Sequence, residues 1–274
     1  MKDFKNLKDT SNEIRREILK MTTAAGSGHP GGSLSIAEII TALYFNILNH
    51  DPKNPKSEER DVFILSKGHC VPALYAALGK CGYFKLEEFS RLRKLGSILQ
   101  GHPDSTKTPG IEVSTGSLGN GLSIGCGIAI SAKLDKNPKN IYVLIGDGEC
   151  DEGQVWEAFM FAAHNKLDNL VAIIDVNGYQ VDGRTSKIID TEPLDKKIKA
   201  FNWEVFNVDG HNIELIISTI NNVISRKNKK PKAILAKTVK GKGVSFMENE
   251  NKYHGMPLTE IELKLALAEL EGRG

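Results

Sequence analysis

The sequence predicts an α/β protein: a doubly wound, mostly parallel sheet with helices on both faces. Three observations predict it. "IYVLIG" (141–146) and "LVAIID" (170–175) are continuous β-branched and apolar runs, the pattern of parallel strands covered on both faces. The stretch between them, Glu152 to Lys166, carries helix formers, so the unit reads strand, helix, strand with the right-handed crossover expected of parallel neighbours. Further along the chain, strand-like and helical patterns keep alternating. With 274 residues there is enough chain to bury a large core, and we read residues 1–274 as one extended domain.

The elements follow in order. A helix is expected from about Ser11 to Ala25, with Thr10 and Glu13 spaced as a capping box and Ile14, Ile18 and Met21 on one face. Gly26 stops it. Ser35 and Glu38 repeat the capping spacing ahead of "IAEIITALYFNIL", a second helix, and "DPKNPKSEERD" is a Pro-rich polar loop. "VFIL", Val62 to Leu65, is a short buried strand. Residues 117–134 are apolar but carry Gly at 119, 121, 125 and 127, which lowers helix propensity while permitting close backbone approach, so a tightly packed helix is expected. After the central unit, "WEVFNV", a helix around "IELIISTINNVI" and "AILAKTV" continue the alternation.

Composition narrows the function. Thirty-six basic and thirty-four acidic side chains leave a formal charge of +2, so no basic field points to nucleic acid or an anionic membrane, and small ligands are the expected partners. Cys70, Cys81, Cys126 and Cys150 are widely spaced and form no CxxC, as reduced thiols of a cytosolic protein would be. The N-terminal "MKDFKNLKDTSNEIRREILK" lacks the apolar core of a signal peptide, and no apolar run approaches membrane-spanning length. A soluble cytoplasmic protein is expected.

Three short motifs match formally but lack their context. "GSGHPG" (26–31) fits G-x-G-x-x-G but follows an amphipathic helix instead of a strand. "GLSIG" (121–125) fits the nucleophile elbow of a serine hydrolase, yet no strand precedes it, and Ser123 reads as a packing residue. "VKGKGVS", after the last strand, lacks Walker spacing and reads as a tight turn that could still line a site.

One constellation keeps its context. Gly146-Asp147-Gly148 follows one buried strand and Asn177 follows the next in the same βαβ unit. In open parallel sheets ligands gather outside the carboxyl ends of the strands, so both side chains point toward one crevice. A carboxylate and an amide oxygen are hard ligands suited to Mg²⁺, which completes its shell with phosphate oxygens and water, and the glycines let N–H groups approach a phosphate. Equally, Asp147 could cap the following helix and Asn177-Gly178 could be a turn. Local chemistry leaves the two readings even.

Longer stretches separate them. "GDGECDEG" through "LVAIIDVN" resembles the thiamine diphosphate signature, GDG followed by Asn, and the flanking "HNKLDNL" and "YQVDG" are similar to its transketolase version. "SGHPGGSLS", "SKGHCVPALYAAL", "GHPDSTKTPGIEVSTGSLGNGLSIGCGIA" and "KGKGVSFMENENKYHGMPL" each resemble a transketolase block, in that family's order, from about Gly26 to Leu258.

The resemblance implies that Asp147, Asn177 and the main-chain carbonyl of Tyr179 hold Mg²⁺ or another divalent cation such as Ca²⁺ or Mn²⁺. Gly148 and His69 would contact the cofactor's diphosphate, with Gly116 and Leu118 beside its rings and Glu152 at a subunit interface. His29 would stand near the donor hydroxyl that loses a proton as the C–C bond breaks, and His102 would hydrogen-bond the terminal ketol hydroxyl. An imidazole of unperturbed pKa about 6.5 suits such proton traffic, whereas His50 and His164 read as polar surface residues. Where many transketolases have two late histidines, this chain has His254, with Asn251 at the earlier position. Arg93 falls where the family can place an arginine toward a sugar phosphate, and equally on a charged helical face.

Transketolases are more than twice this length, and their second domain supplies the glutamate that activates the cofactor, an aromatic pocket and most sugar-phosphate contacts. The resemblance therefore implies the N-terminal subunit of a split transketolase, self-associating and active with a C-terminal partner chain, that moves a two-carbon ketol unit from a ketose phosphate to an aldose phosphate. Other readings are a different thiamine enzyme, such as a deoxyxylulose phosphate synthase or a 2-oxo acid dehydrogenase component, a serine hydrolase using Ser123, and a noncatalytic binding module.

Overall fold

The computed structural model describes residues 4–272, so the outermost residues of the 1–274 domain reading lie outside it. In chain order the first helices are α1 (Phe4–Ala25), α2 (Pro30–Leu34) and α3 (Ala37–Ala42), followed by β1 (Val62–Leu65) and α4 (Val71–Cys81). Then come α5 (Asn120–Leu134), β2 (Ile141–Gly146), α6 (Gly153–His164) and β3 (Leu170–Val176). A hairpin of β4 (Tyr179–Gln180) and β5 (Gly183–Arg184) leads into α7 (Thr185–Ile188) and α8 (Leu194–Ala200). The chain finishes with β6 (Glu204–Asp209), α9 (Ile213–Ser225), β7 (Lys232–Lys237) and α10 (Glu260–Glu271).

The five long strands form a wholly parallel sheet in the order β1-β2-β3-β7-β6. Alternate strand residues feed two cores. Phe63, Leu65, Tyr142, Leu144 and Ile173 pack with residues of α1, α3, α4 and α9, while Val62, Ile64, Val143, Ile145 and Ile174 pack with α5, α6 and α8. This two-sided cover is why β1, β2 and β3 are apolar at almost every position and do not alternate. No helix among the described residues is long and apolar enough to cross a membrane.

The layering positions the site. The helix after β1, α4, lies on one face of the sheet, whereas the helix after β2, α6, lies on the other. The chain therefore parts in opposite directions at the carboxyl ends of β1 and β2, opening the crevice in which doubly wound sheets bind ligands.

Both N-terminal capping boxes are corrected. The first helix starts at Phe4, so Thr10 is interior and its hydroxyl bonds back to the Asn6 carbonyl at 2.8 Å. Ser35 donates to Gly32 and Asp175, and Glu38 faces Arg15, because tertiary partners outcompete a local cap. The second helix, expected over 36–48, is α3 continued by a π-helical turn at Leu43–Ile47, and the short α2 precedes it. A true capping box does occur at Thr259 and Glu262, opening α10. The Gly-rich helix starts at Asn120 instead of Ser117, and Gly121 and Gly125 sit against Ser66 and Val143 where a methyl group would collide.

Candidate active site

A cavity of about 360 Å³ opens at the carboxyl ends of β1, β2 and β3. Its floor is the pair of loops that the sequence singled out. In register, Gly146 lies beside Asp175, so Asp147 and Asn177 leave adjacent strands at nearly one level. Asp147 accepts from the Gly148 N–H at 2.9 Å and the Gly178 N–H at 2.6 Å. Asn177 accepts from the Tyr179 N–H at 3.0 Å and donates to Asp175 at 2.6 Å. Both residues thus turn corners and both line the cavity, and Gly178 supplies the positive φ of +78° that the second corner needs. Corner and site are the same residues.

Charge shows what the floor lacks. Burial, and then the neighbouring Asp175 carboxylate, push the Asp147 carboxyl up to about 7. Lys67, one of the two lysines lining the cavity, is committed elsewhere: its ammonium lies 2.6 Å from Asp175 and 3.2 Å from the Gly32 carbonyl. A divalent cation beside Asp147 would offset this buried carboxylate, and the Asn177 oxygen keeps a second lone pair for it. Among the described residues no three His, Cys, Asp or Glu side chains gather as a metal cluster, so such an ion would take most of its shell from carbonyl, phosphate and water oxygens. The donor set fits Mg²⁺ held with a diphosphate. Gly148 also fits, because a Cβ there would lie 2.8 Å from that of Gln180.

Histidine rings form one wall. The His29, His69 and His254 centroids are 5.2–5.6 Å from one another, and His102 stands 6.5 Å from His29. Burial, then Arg93 and His102, lower His29 to about 4, and burial with Lys240 lowers His254 to about 3. His69 falls well below the usual imidazole value, again through burial first and Lys67 second. All are neutral near pH 7 and hold a lone pair for a donor. The Nδ1 atom of His29 is buried without a hydrogen-bond partner, the condition of a group built to meet a ligand. His102 stands behind His29, outside the immediate lining, against Gly116.

Four contributors are not among the site residues named from the sequence, although Lys240 lies in the "VKGKGVS" turn read there as able to line a site. Lys240 is buried, and its ammonium lies 2.9 Å from His254 Nδ1, 3.0 Å from Asn251 and 3.3 Å from the Gln180 carbonyl, with burial lowering it to about 8. Asn251, at the position of the missing histidine, thus holds Lys240 and donates to the Val181 carbonyl at 2.7 Å. Glu149 accepts from Ser66, from the Gly119 N–H at 2.9 Å and from the Gly146 N–H at 3.0 Å, tying the loop of Gly116 and Leu118 to the Asp147 corner. Lys67 and Asp175 complete the set. Lys67 and Lys240 follow strands as Asp147 does, and the rule that ligands gather at strand ends could have found them.

The remaining candidates sort plainly. Glu152 lies at the cavity rim and makes no side-chain cap to α6. Arg93, at φ +61°, donates to Ser27 at 3.1 Å and Gly101 at 3.3 Å, supporting the His29 and His102 end. Ser123, read as a packing residue with a nucleophile as the alternative, lies within α5, outside the cavity, and accepts from Gln154 at 3.1 Å. His50 is corrected as a surface residue, since its ring nitrogens lie 2.9 Å from the Tyr83 hydroxyl and 2.7 Å from the Tyr44 carbonyl. All four cysteines are free.

Fold and site define a doubly wound α/β domain whose strand ends open into a cavity floored by Asp147 and Asn177 and walled by histidines. Residues 7–271 match the family model described as the transketolase, thiamine diphosphate binding domain, and the chain belongs to the transketolase family. It is 48% identical to the 6-deoxy-6-sulfo-D-fructose transketolase subunit of a Clostridium species, over 98% of each chain. It is 46% identical to an apulose-4-phosphate transketolase subunit of Phocaeicola vulgatus, over 91% of this chain and 89% of that one. Human transketolase is 42% identical over 96% of this chain but only 42% of its own. Among solved structures, Leishmania mexicana transketolase superposes with a TM-score of 0.91 at 31% identity, covering 97% of this chain and 41% of that one. The chain thus spans about two fifths of those longer transketolases.

Proposed function

We propose that this chain is the diphosphate-binding subunit of a two-chain transketolase. It works in the cytoplasm with a C-terminal partner and transfers a two-carbon ketol unit between sugar phosphates. The observation that carries the reading is the convergence of Asp147 and Asn177 with the rings of His29, His69 and His254 on one cavity. Nearly full-length likeness to chains named as transketolase subunits supports it.

In this reading Asp147, Asn177 and the Tyr179 carbonyl hold Mg²⁺, while Gly148, His69 and Lys240 receive the diphosphate, and Gly116 and Leu118 border the rings. Bound thiamine diphosphate supplies the carbon nucleophile on which the ketol unit is carried, chemistry that no side chain here offers. The protein orients and moves protons. His29 accepts the proton of the donor hydroxyl through its unpartnered nitrogen, His102 holds the terminal ketol hydroxyl, and His254, fixed by Lys240, faces the same donor.

Self-association belongs to the proposal, and a surface supports it. Ile124, Met160 and Phe161 on α5 and α6 are 36%, 52% and 46% exposed, and Gly127 on α5 is exposed too. An apolar face of this kind marks an interaction site, here with a second copy. The test of the anchor is calorimetry of thiamine diphosphate binding to the two-chain complex. Binding should require Mg²⁺ and be lost in Asp147→Ala, and undiminished binding by that variant would refute the assignment.

A further inference from the structure

Glu38 resembles half of a helix cap in the sequence and caps nothing. Its carboxylate is buried on α3, with both oxygens 2.6 Å from the Arg15 guanidinium of α1 and Oε2 3.1 Å from Nδ1 of His211, ahead of α9. Each partner makes a second bond, and both of these go to the main chain of a single turn. Arg15 Nε donates to the Lys242 carbonyl at 2.9 Å. The Val239 N–H donates to His211 Nε2 at 2.9 Å. Because Nε2 accepts, Nδ1 carries the proton and donates to Glu38, which fixes the ring's tautomer and tilt.

Lys240 lies between the two held residues. Within the turn the Gly241 N–H donates to the Gly31 carbonyl at 3.0 Å, and Gly241 adopts φ +79° where any Cβ would strike Met247. Three elements distant in sequence are thus drawn onto four residues whose one side chain in the cavity is Lys240. Burying an arginine and a glutamate, with a half-buried histidine against them, carries a desolvation cost that apolar packing would avoid, so a purely structural role is a poor account of them.

We propose that Arg15, Glu38 and His211 form a clamp that sets where the Lys240 ammonium stands in the cavity. They are positioning residues, acting through the main chain at Val239 and Lys242. The effect on ligand rests on the reading that Lys240 receives a diphosphate; the effect on Lys240 itself does not.

Glu38→Gln strands the Arg15 guanidinium in the core and tests folding more than position, so the histidine is the residue to vary. Inorganic pyrophosphate with Mg²⁺ is titrated into the two-chain complex by calorimetry, with this chain as wild type, His211→Ala, His211→Gln, Lys240→Ala and the double variant. His211→Ala should weaken binding roughly 10–100-fold, the range for outer partners that orient a ligand. His211→Gln, whose side-chain oxygen can take the Val239 N–H, should recover most of it. In the Lys240→Ala background His211→Ala should cost nothing further, since the two act through one group. An undiminished cost there overturns the clamp. If wild type binds no pyrophosphate, the diphosphate reading fails, and site-resolved acylation of lysines decides the clamp alone. Lys240 should be acylated several-fold faster in His211→Ala than in wild type, and an unchanged rate overturns the proposal.

Discussion

The Lys67 ammonium lies 2.6 Å from the Asp175 carboxylate beneath the cavity floor, with side-chain exposures of 3% and 0%. The pair carries more than its own charge. Asp175 also accepts from Ser35, Thr238 and the Asn177 amide, so one carboxylate joins α2–α3, the end of β7 and the Asn177 corner. Burial works against its ionisation, but Lys67 and the hydroxyl donors hold it below the usual carboxylate range. Removing one partner of a buried pair leaves an uncompensated charge, which costs about 3–5 kcal/mol. Asp175→Ala should lower the melting temperature by on the order of 10 °C, read by calorimetric unfolding. A shift within error would show that the pair does not support the floor.

Acid should act through Glu38. Burial raises its carboxyl, but the Arg15 charge and the His211 hydrogen bond outweigh burial and hold it below its ordinary value of 4.5. A carboxyl depressed in the folded state contributes stability that is present above the unfolded pKa and is lost as pH falls through the folded one. Urea midpoints measured downward from pH 7 should therefore show wild type and Glu38→Gln converging below about 4.5. A constant gap across that range would mean the carboxylate's charge contributes nothing.

The Gly-rich helix offers a packing test. A Cβ at Gly121 would meet Ser66 down to its Cα at 2.8 Å, in a loop that cannot shift without moving Lys67. Overpacking of this kind costs about 1–3 kcal/mol, although alanine is the better helix former. Gly121→Ala should unfold at lower urea than wild type, and a gain in stability would contradict the packed-glycine account.

The exposed face of α5 and α6 predicts an oligomer. Phe161→Glu places a charge on the apolar patch and should convert the self-associated species to a smaller one in sedimentation velocity without changing the circular dichroism spectrum. An unaltered sedimentation coefficient would locate self-association elsewhere.

Strands were the most legible part of the fold, because 141–146 and 170–175 are apolar at almost every position and a sheet covered twice explains that. The pairing of Asp147 with Asn177 at one end of the sheet followed from the same reasoning. The ligand role proposed for them did not, since both also make the turn bonds that any Asp or Asn would make there. Helix starts were misread where a cap-like spacing was claimed by distant partners: Ser35 by Asp175 and Glu38 by Arg15. Lys67 and Lys240 were legible only as residues following strands, and Glu149 not at all, because the bonds that give them meaning run to residues far along the chain, which no local pattern encodes.

His29 tests the proton chemistry. Its buried, unpartnered Nδ1 makes it the candidate base, and loss of a general base lowers rate by about 10²–10⁴-fold. His29→Ala in the two-chain complex should lose that much kcat while thiamine diphosphate affinity stays close to wild type. An unaffected kcat would remove it from catalysis.

The central claim is that this chain holds an anchor whose catalytic complement lies on another chain. The direct measurement is ketol transfer from a ketose phosphate to an aldose phosphate, with Mg²⁺ and thiamine diphosphate, by this chain alone, by its candidate C-terminal partner alone, and by the two coexpressed. The account predicts transfer by the pair only, abolished by Asp147→Ala. Transfer by this chain alone, or no transfer by a pair that assembles and binds the cofactor, would contradict it.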